Sequence, residues 1–270
     1  MPKETVDYSH YEFIKVEKNN NVAILTLNRP DTLNAINPKL HTELEDIFGD
    51  IALDNGINVV VLTGAGKAFC SGGDVKGMDA REFDSTTKNR MPLRSAKRLI
   101  HNLIEVEQPI IAAVNGHAVG LGATLALFCD IIIASENAKF GDPHVRVGLV
   151  AGDGGAVIWP LLCGLAKAKE YLMTGELISA VEAERIGLIN HVVPADDVMP
   201  RAMELAHRLA NGPTRAIRWT KMACNKRLHS EVNMVLDASL AVETLSMLTD
   251  DHKEATRAFT EKRAPQFKGY

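Results

Sequence analysis

Two short glycine-rich segments carry the residue types and spacing best suited to chemistry. They are Ala68-Phe69-Cys70-Ser71-Gly72-Gly73-Asp74 and Val114-Asn115-Gly116-His117-Ala118-Val119-Gly120-Leu121-Gly122-Ala123. Each follows a strand-like apolar run, Val59-Val60-Val61-Leu62 in one case and Ile110-Ile111-Ala112-Ala113 in the other, and each predicts a helix behind it. Backbone N–H groups at the start of a helix lack intrahelical acceptors and can face a developing negative charge. Two such donors converging on one point make an oxyanion hole. The pattern points to an enzyme that polarises a carbonyl and leaves open which groups move the protons.

The surrounding elements must hold these segments. Phe13 to Glu17 and Val22 to Leu27 predict a hairpin across the asparagine-rich turn Asn19-Asn20-Asn21. Pro38 suits the first turn of a helix to about Leu53, with Leu40, Leu44, Ile47, Phe48 and Ile51 spaced along one face. A strand from Asn58 to Thr63 leads into the first glycine segment, and a polar stretch to about Pro92 reads as a loop at the rim of a site. A helix from Ser95 to Glu105 leads to the Ile110 strand. The second glycine segment, a short apolar helix and the strand Ile131-Ile132-Ile133-Ala134 follow, and a helix from Gly154 to Leu162 comes after them. Beyond about Pro200 the pattern is helical: one helix opened by Pro213, a long one from Glu231 to Thr249, and a last one from Asp251 to Lys262. Strands alternating with helices and then helices alone predict an α/β core, residues 1–199, with a helical C-terminal region, residues 200–270.

Composition narrows the function classes. With 270 residues, 46% of them hydrophobic, the chain can bury a large core. A formal charge of -4 and only 5% aromatic residues offer no basic stripe with interleaved aromatics for nucleic acid. Cys70, Cys129, Cys163 and Cys224 have no paired spacing, which argues against a structural metal site or a disulfide scaffold and suits a reducing compartment. The N-terminus has no signal-like apolar stretch, and no apolar run is long enough to span a bilayer, so a cytoplasmic location is expected.

Taken in order, the pieces resemble the crotonase (enoyl-CoA hydratase/isomerase) superfamily. They are Leu27-Asn28-Arg29-Pro30 with Leu33-Asn34-Ala35, the segment Ala68 to Asp74, Ala113-Val114-Asn115-Gly116, Cys129-Asp130-Ile131, Ala183 to Asn190, and Phe259-Thr260-Glu261-Lys262-Arg263. The resemblance implies a spiral of ββα turns with C-terminal helices that build a homotrimer or a dimer of trimers. It implies an acyl-CoA substrate, with coenzyme A as part of it and no separate cofactor. By motif position the oxyanion donors would be the backbone N–H groups of Gly73 and Leu121. Ser71 and Val75 would line the path of the adenine and pantetheine, while Phe259 and Lys262 would reach coenzyme A bound by a neighbouring subunit. Asp31 stands where many relatives carry a basic residue toward the phosphates, which removes that contact.

Hydratases of the family typically use two glutamates, whose separated pKa values divide the acid and base roles. The two positions here hold Thr124 and His144. One titratable pair remains nearby, because His144 precedes Asp153 across the loop Val147-Gly148-Leu149-Val150-Ala151-Gly152, whose glycines let it fold back. An aspartate bonded to one ring nitrogen would fix the histidine tautomer and leave the other nitrogen to move a proton. Asp153 is equally well placed to cap the helix that follows. The same spacing resembles that of crotonase-fold β-diketone hydrolases of the 6-oxocamphor hydrolase type, and His41 matches a histidine of that group. Thr124 and His41 are therefore expected in the substrate pocket.

Three function classes follow. The first is an acyl-CoA enzyme of the hydratase/isomerase type, with a His/Asp pair in place of two glutamates. The second is a C–C bond hydrolase of a β-dicarbonyl substrate by a retro-Claisen route. The third is a non-catalytic protein on the same scaffold that binds coenzyme A or RNA.

Overall fold

In the computed structural model, residues 6–74 and 93–270 are described. Val75 and the polar stretch from Lys76 to Pro92, assigned above to the coenzyme path and the rim, lie outside the described residues. The expected hairpin forms from β1 (Ile14–Asn19) and β2 (Val22–Leu27), paired antiparallel from Ile14 with Leu27 to Asn19 with Val22. Asn20 and Asn21 close it, both at positive φ, as a two-residue turn between twisted strands requires.

β3 (Val59–Gly64), β4 (Ile110–Val114), β6 (Ile131–Ser135) and β9 (His191–Val193) extend β2 in parallel, giving the order β1-β2-β3-β4-β6-β9. A smaller sheet joins β5 (Ala118–Val119), β7 (Lys139–Gly141) and β8 (Ile178–Ser179). The β3 and β4 runs are continuously apolar because both faces of the large sheet are covered. Val60, Leu62, Ala112 and Val114 pack into the main core with α1 (Pro38–Leu53) and α2 (Leu93–Glu105). Val59, Val61, Ile111 and Ile133 face α6 (Val198–Ala210) through Ala202, Leu205 and Ala206. The first helix of the region beyond residue 199 is thus part of the sheet's own packing.

α1 has the bounds expected from Pro38 and the Leu40–Ile51 spacing, and Asn37 caps it by accepting from the Leu40 N–H at 2.8 Å. α3 (Leu121–Leu127) is the short apolar helix, and α4 (Gly155–Thr174) runs beyond the predicted end at Leu162. Gly164, at φ 79 and ψ 158, breaks α4 into two helical stretches, so the predicted end marks the break. α5 (Ala180–Arg185) leads to β9. The two separate helices expected after Pro213 are one, α7 (Thr214–Ser246), followed by α8 (Asp250–Thr260). Among the described residues no single helix is long and apolar enough to cross a membrane.

Candidate active site

The two glycine segments lie side by side. Cys70 donates its N–H to His117 O at 3.1 Å, and Val119 donates to Cys70 O at 2.9 Å. Asn34 sits beneath the first segment, fully buried and in the left-handed region at φ 56. Its side-chain amide donates to Ala65 O and Ala68 O at 2.9 Å and to Phe69 O at 3.1 Å. Arg29 clamps the same turn, bonding Ala35 O and standing 3.6 Å from the Asp74 carboxylate.

This packing leaves the two expected donors unpaired. Gly72 O and the Asp74 N–H both pair with Ile36, so the N–H of Gly73 between them points the other way. Leu121 is the first residue of α3, where an N–H has no intrahelical acceptor. Among the described residues neither N–H donates a hydrogen bond. The segments can approach this closely only without side chains at the contact. At Gly72, φ +88, a Cβ would fall 2.7 Å from Val119 O, and at Gly122 it would fall 2.4 Å from Cys70 O.

His144 stands next to this pair, in a 3-10 turn (His144–Val147) after β7; its Cε1 lies 3.7 Å from where a Cβ on Gly120 would be. The ring is held between two carboxylates. Nδ1 is hydrogen-bonded to Asp142 Oδ1, while Nε2 faces Asp153 Oδ2 at 3.6 Å. The expected partners His144 and Asp153 are therefore brought together, but the orienting hydrogen bond comes from Asp142. Asp142 Oδ1 also accepts from the His144 N–H at 3.3 Å, and Oδ2 lies over the first residue of α4, where a Cβ on Gly155 would be 2.2 Å away. An acidic side chain is favourably placed at a helix N-terminus.

Thr124, one turn into α3 and fully buried, places its hydroxyl 3.5 Å from Asp153 Oδ1. Gly154, at φ +124, must lack a side chain here, since a Cβ would fall 2.7 Å from Thr124 Cγ2 and 2.9 Å from Phe128 Cε2. Behind the loop α7 contributes Glu243, which is buried and whose carboxylate lies against Gly152. Sequence reasoning missed both Asp142 and Glu243.

Electrostatics set the resting protonation. Burial opposes a charge on His144, but the charges of Asp142 and Asp153, the hydrogen bond that Nδ1–H donates to Asp142, and the charge of Glu243 outweigh it and hold the pKa up at about 10. Burial raises Asp153 and the neighbouring Asp142 adds to this, while His144 and His41 pull it down. Burial, reinforced by Asp153, raises Glu243 to about 8. At neutral pH the imidazole carries a proton and can act as an acid, flanked by a carboxylate able to accept one. Asp142, His144 and Asp153 also present their ligand-type atoms within 4.8 Å of one another; Asp142 Oδ1 is taken up by His144 Nδ1, while Asp142 Oδ2 is buried without a hydrogen-bond partner among the described residues.

The other expected residues fall at the margins. His41, in the second turn of α1, is close enough for its charge to act on Asp153; its Nδ1 is 3.0 Å from Glu45 Oε1 and 3.2 Å from Ser95 Oγ. Ser71 donates its N–H to Leu33 O and its hydroxyl to Thr32 O at 3.4 Å. Phe259 is half exposed near the end of α8, and Lys262 lies just beyond that helix in the left-handed region at φ 55.

The family model described as enoyl-CoA hydratase/isomerase matches residues 17–270. A short-chain-enoyl-CoA hydratase of Clostridium acetobutylicum is 38% identical over 253 residues, covering 92% of this chain and 94% of its own length. A crotonyl-CoA hydratase of Syntrophomonas wolfei is 36% identical over 265 residues, covering 95% of this chain and 98% of its own. The crystal structure of an enoyl-CoA hydratase/isomerase from Mycobacterium paratuberculosis is similar to this chain with a TM-score of 0.87 at 38% identity, covering 93% of this chain and 99% of that one.

Proposed function

Because the chain belongs to the enoyl-CoA hydratase/isomerase family, we propose that it adds water across the double bond of an enoyl-CoA, using a histidine and an aspartate in place of two glutamates. The thioester oxygen accepts the N–H groups of Gly73 and Leu121. Asp153 takes a proton from the water as its oxygen bonds to Cβ, and the charge gathered on the thioester oxygen is that of an enolate. His144 then gives a proton to Cα, yielding the 3-hydroxyacyl product, and the proton held by Asp153 passes to the facing Nε2 to restore the pair. Removing one donor from a characterised oxyanion hole costs about 2.7–4 kcal/mol. The observation that carries this reading is the place of the His144 ring beside Gly120, one residue from the Leu121 N–H, with Nε2 facing Asp153; the flanking carboxylates that raise its pKa to about 10 favour the protonated form.

Thr124 and Asp142 support the same chemistry by fixing the Asp153 carboxylate and the His144 ring. Ser71, Val75, Phe259 and Lys262 remain the proposed contacts to coenzyme A, which enters as part of the substrate; no further cofactor takes part. His41 is proposed to face the pocket, through its effect on Asp153. A homotrimer or a dimer of trimers is the proposed assembly, supported by the exposed Trp219, Met234, Leu245 and Leu248 along and just after α7.

The same protonated histidine favours one second reading, retro-Claisen cleavage of a β-dicarbonyl, in which His144 protonates the enolate released when the C–C bond breaks. Incubation with crotonyl-CoA and with a cyclic β-diketone, followed by absorbance, separates the two. Hydration of crotonyl-CoA that falls by about 10²–10⁴-fold in His144→Ala is the expected result. Consumption of the diketone alone supports the second reading. Hydration that survives His144→Ala at full rate removes the dyad, and acyl-CoA binding without turnover of either compound identifies a binding protein.

A further inference from the structure

The loop that carries His144 and Asp153 is fastened from outside at three backbone groups. Val147 O accepts from His252 Nδ1 at 2.7 Å, the Val150 N–H donates to Ser246 Oγ at 3.2 Å, and Gly152 O accepts from Ser239 Oγ at 2.8 Å. All three side chains belong to the C-terminal helices. His252 is itself fixed, because its N–H donates to Thr249 Oγ in the cap of α8 at 3.2 Å. Ser246 has its proton committed to Glu243 O at 2.6 Å, which leaves its oxygen to accept from Val150. Loop and helix also meet backbone to backbone. A Cβ on Gly148, φ +68, would fall 2.9 Å from His252 N and 3.0 Å from its Cα.

Val147 O ends the 3-10 turn that begins at His144, and a carbonyl there has no partner inside the turn. Without the imidazole it must find another donor or move toward water, since a half-buried carbonyl left unpaired carries a cost. The turn would shift with it, and the His144 ring would shift with the turn. The 3.6 Å gap between Nε2 and Asp153 would then change, because Asp153 is held separately through Gly152 and Thr124.

We propose that His252 is a positioning residue for His144: by donating Nδ1–H to Val147 O from the last helix, it fixes where the imidazole stands relative to Asp153. The proposal rests on the reading of His144 and Asp153 as the proton-moving pair. Ser246 and Ser239 anchor the rest of the loop in the same way, so the C-terminal helices form the back of the site.

The test compares His252→Ala with His252→Asn, whose amide nitrogen stands the same number of bonds from Cα as Nδ1. Three quantities are read on the full chain: kcat and KM with crotonyl-CoA, the melting temperature, and the His144 ring NMR signal at fixed pH, assigned by its loss in His144→Ala. The expected result for His252→Ala is a kcat lowered about 10- to 100-fold with KM within about twofold, and a displaced His144 signal. His252→Asn is expected to restore both. A lowered melting temperature with kcat and the His144 signal unchanged would overturn the proposal, as would equal effects of the two variants. If His252→Ala does not fold, His252→Gln, whose amide nitrogen stands one bond further from Cα than Nδ1, takes its place with the same expectations and the same overturning result. A wild-type protein that turns over neither substrate defeats the proposed reaction instead, and the ring signal still reports whether His252 sets the position of His144.

Discussion

His144 has one carboxylate on each ring nitrogen, and this decides what it can do at neutral pH. An ordinary histidine, with a pKa near 6.5, would be mostly neutral there and serve as a base. Held up at about 10, this one is suited to act as an acid, and in the proposed reaction the base role falls to Asp153. Asp142→Asn removes the carboxylate hydrogen-bonded to Nδ1 and should bring the His144 pKa down toward its ordinary value. The fraction of protonated acid then falls through the neutral range, so the alkaline limb of the kcat–pH profile should move to lower pH; an unmoved limb would show that another group is the acid. The proximity of His144 to Asp153 was legible from their spacing together with the family resemblance, but the hydrogen bond expected between them is made to Asp142 instead. Asp142 had a readable signal too, since Asp-Pro-His favours a turn in which the aspartate bonds the backbone two residues on, and Asp142 Oδ1 does accept the His144 N–H. Glu243 has no such mark, because it reaches the loop only through the path of α7.

At the scale of elements, the proposed oxyanion donors depend on how tightly the glycine segments press together. Gly122 lies inside α3, where alanine would ordinarily gain about 1 kcal/mol in helix propensity. A Cβ there would nevertheless fall 2.4 Å from Cys70 O and 2.7 Å from Cys70 Cβ. Gly122→Ala should therefore lower the melting temperature despite the better helix former, and lower kcat as Leu121 moves away from Gly73; differential scanning fluorimetry and kinetics check the two effects. The hairpin and α1 could be read from sequence because their signals are local: an asparagine turn, a proline at the first helical position and an apolar stripe. The continuity of α7 could not. The inward face of its first half is polar, with Arg218 bonding Ile57 O, Lys221 bonding Gln108 O and Asn225 bonding Ile104 O. Those residues fill carbonyl acceptors of the core where apolar periodicity would otherwise mark the helix.

For the whole molecule, the buried cluster ties stability to pH. His144 binds its proton more tightly folded, at about 10, than unfolded, near 6.5, so its stabilisation is full below about 6.5 and lost as pH rises through 10. Glu243, raised to about 8 from an ordinary 4.5, acts with the same sign, because ionising it in the folded state costs more than in the unfolded chain. The melting temperature should fall steadily from pH 6 to pH 10, and less steeply in His144→Ala; a curve flat across that range would contradict both shifts. The exposed apolar residues along α7 lead to a separate expectation, that light scattering finds three or six times the chain mass. One feature of the site reaches further. The two N–H groups proposed to hold the thioester oxygen belong to the main chain, and most substitutions at 73 or 121 would leave an N–H in place. The proposed proton-moving side chains instead share one loop, which returns to α7 and α8 at a few fixed points. Grafting alternative versions of residues 142–153 into an otherwise unaltered chain should therefore change which reaction follows enolate formation, making this loop the natural unit for directed evolution of the enzyme.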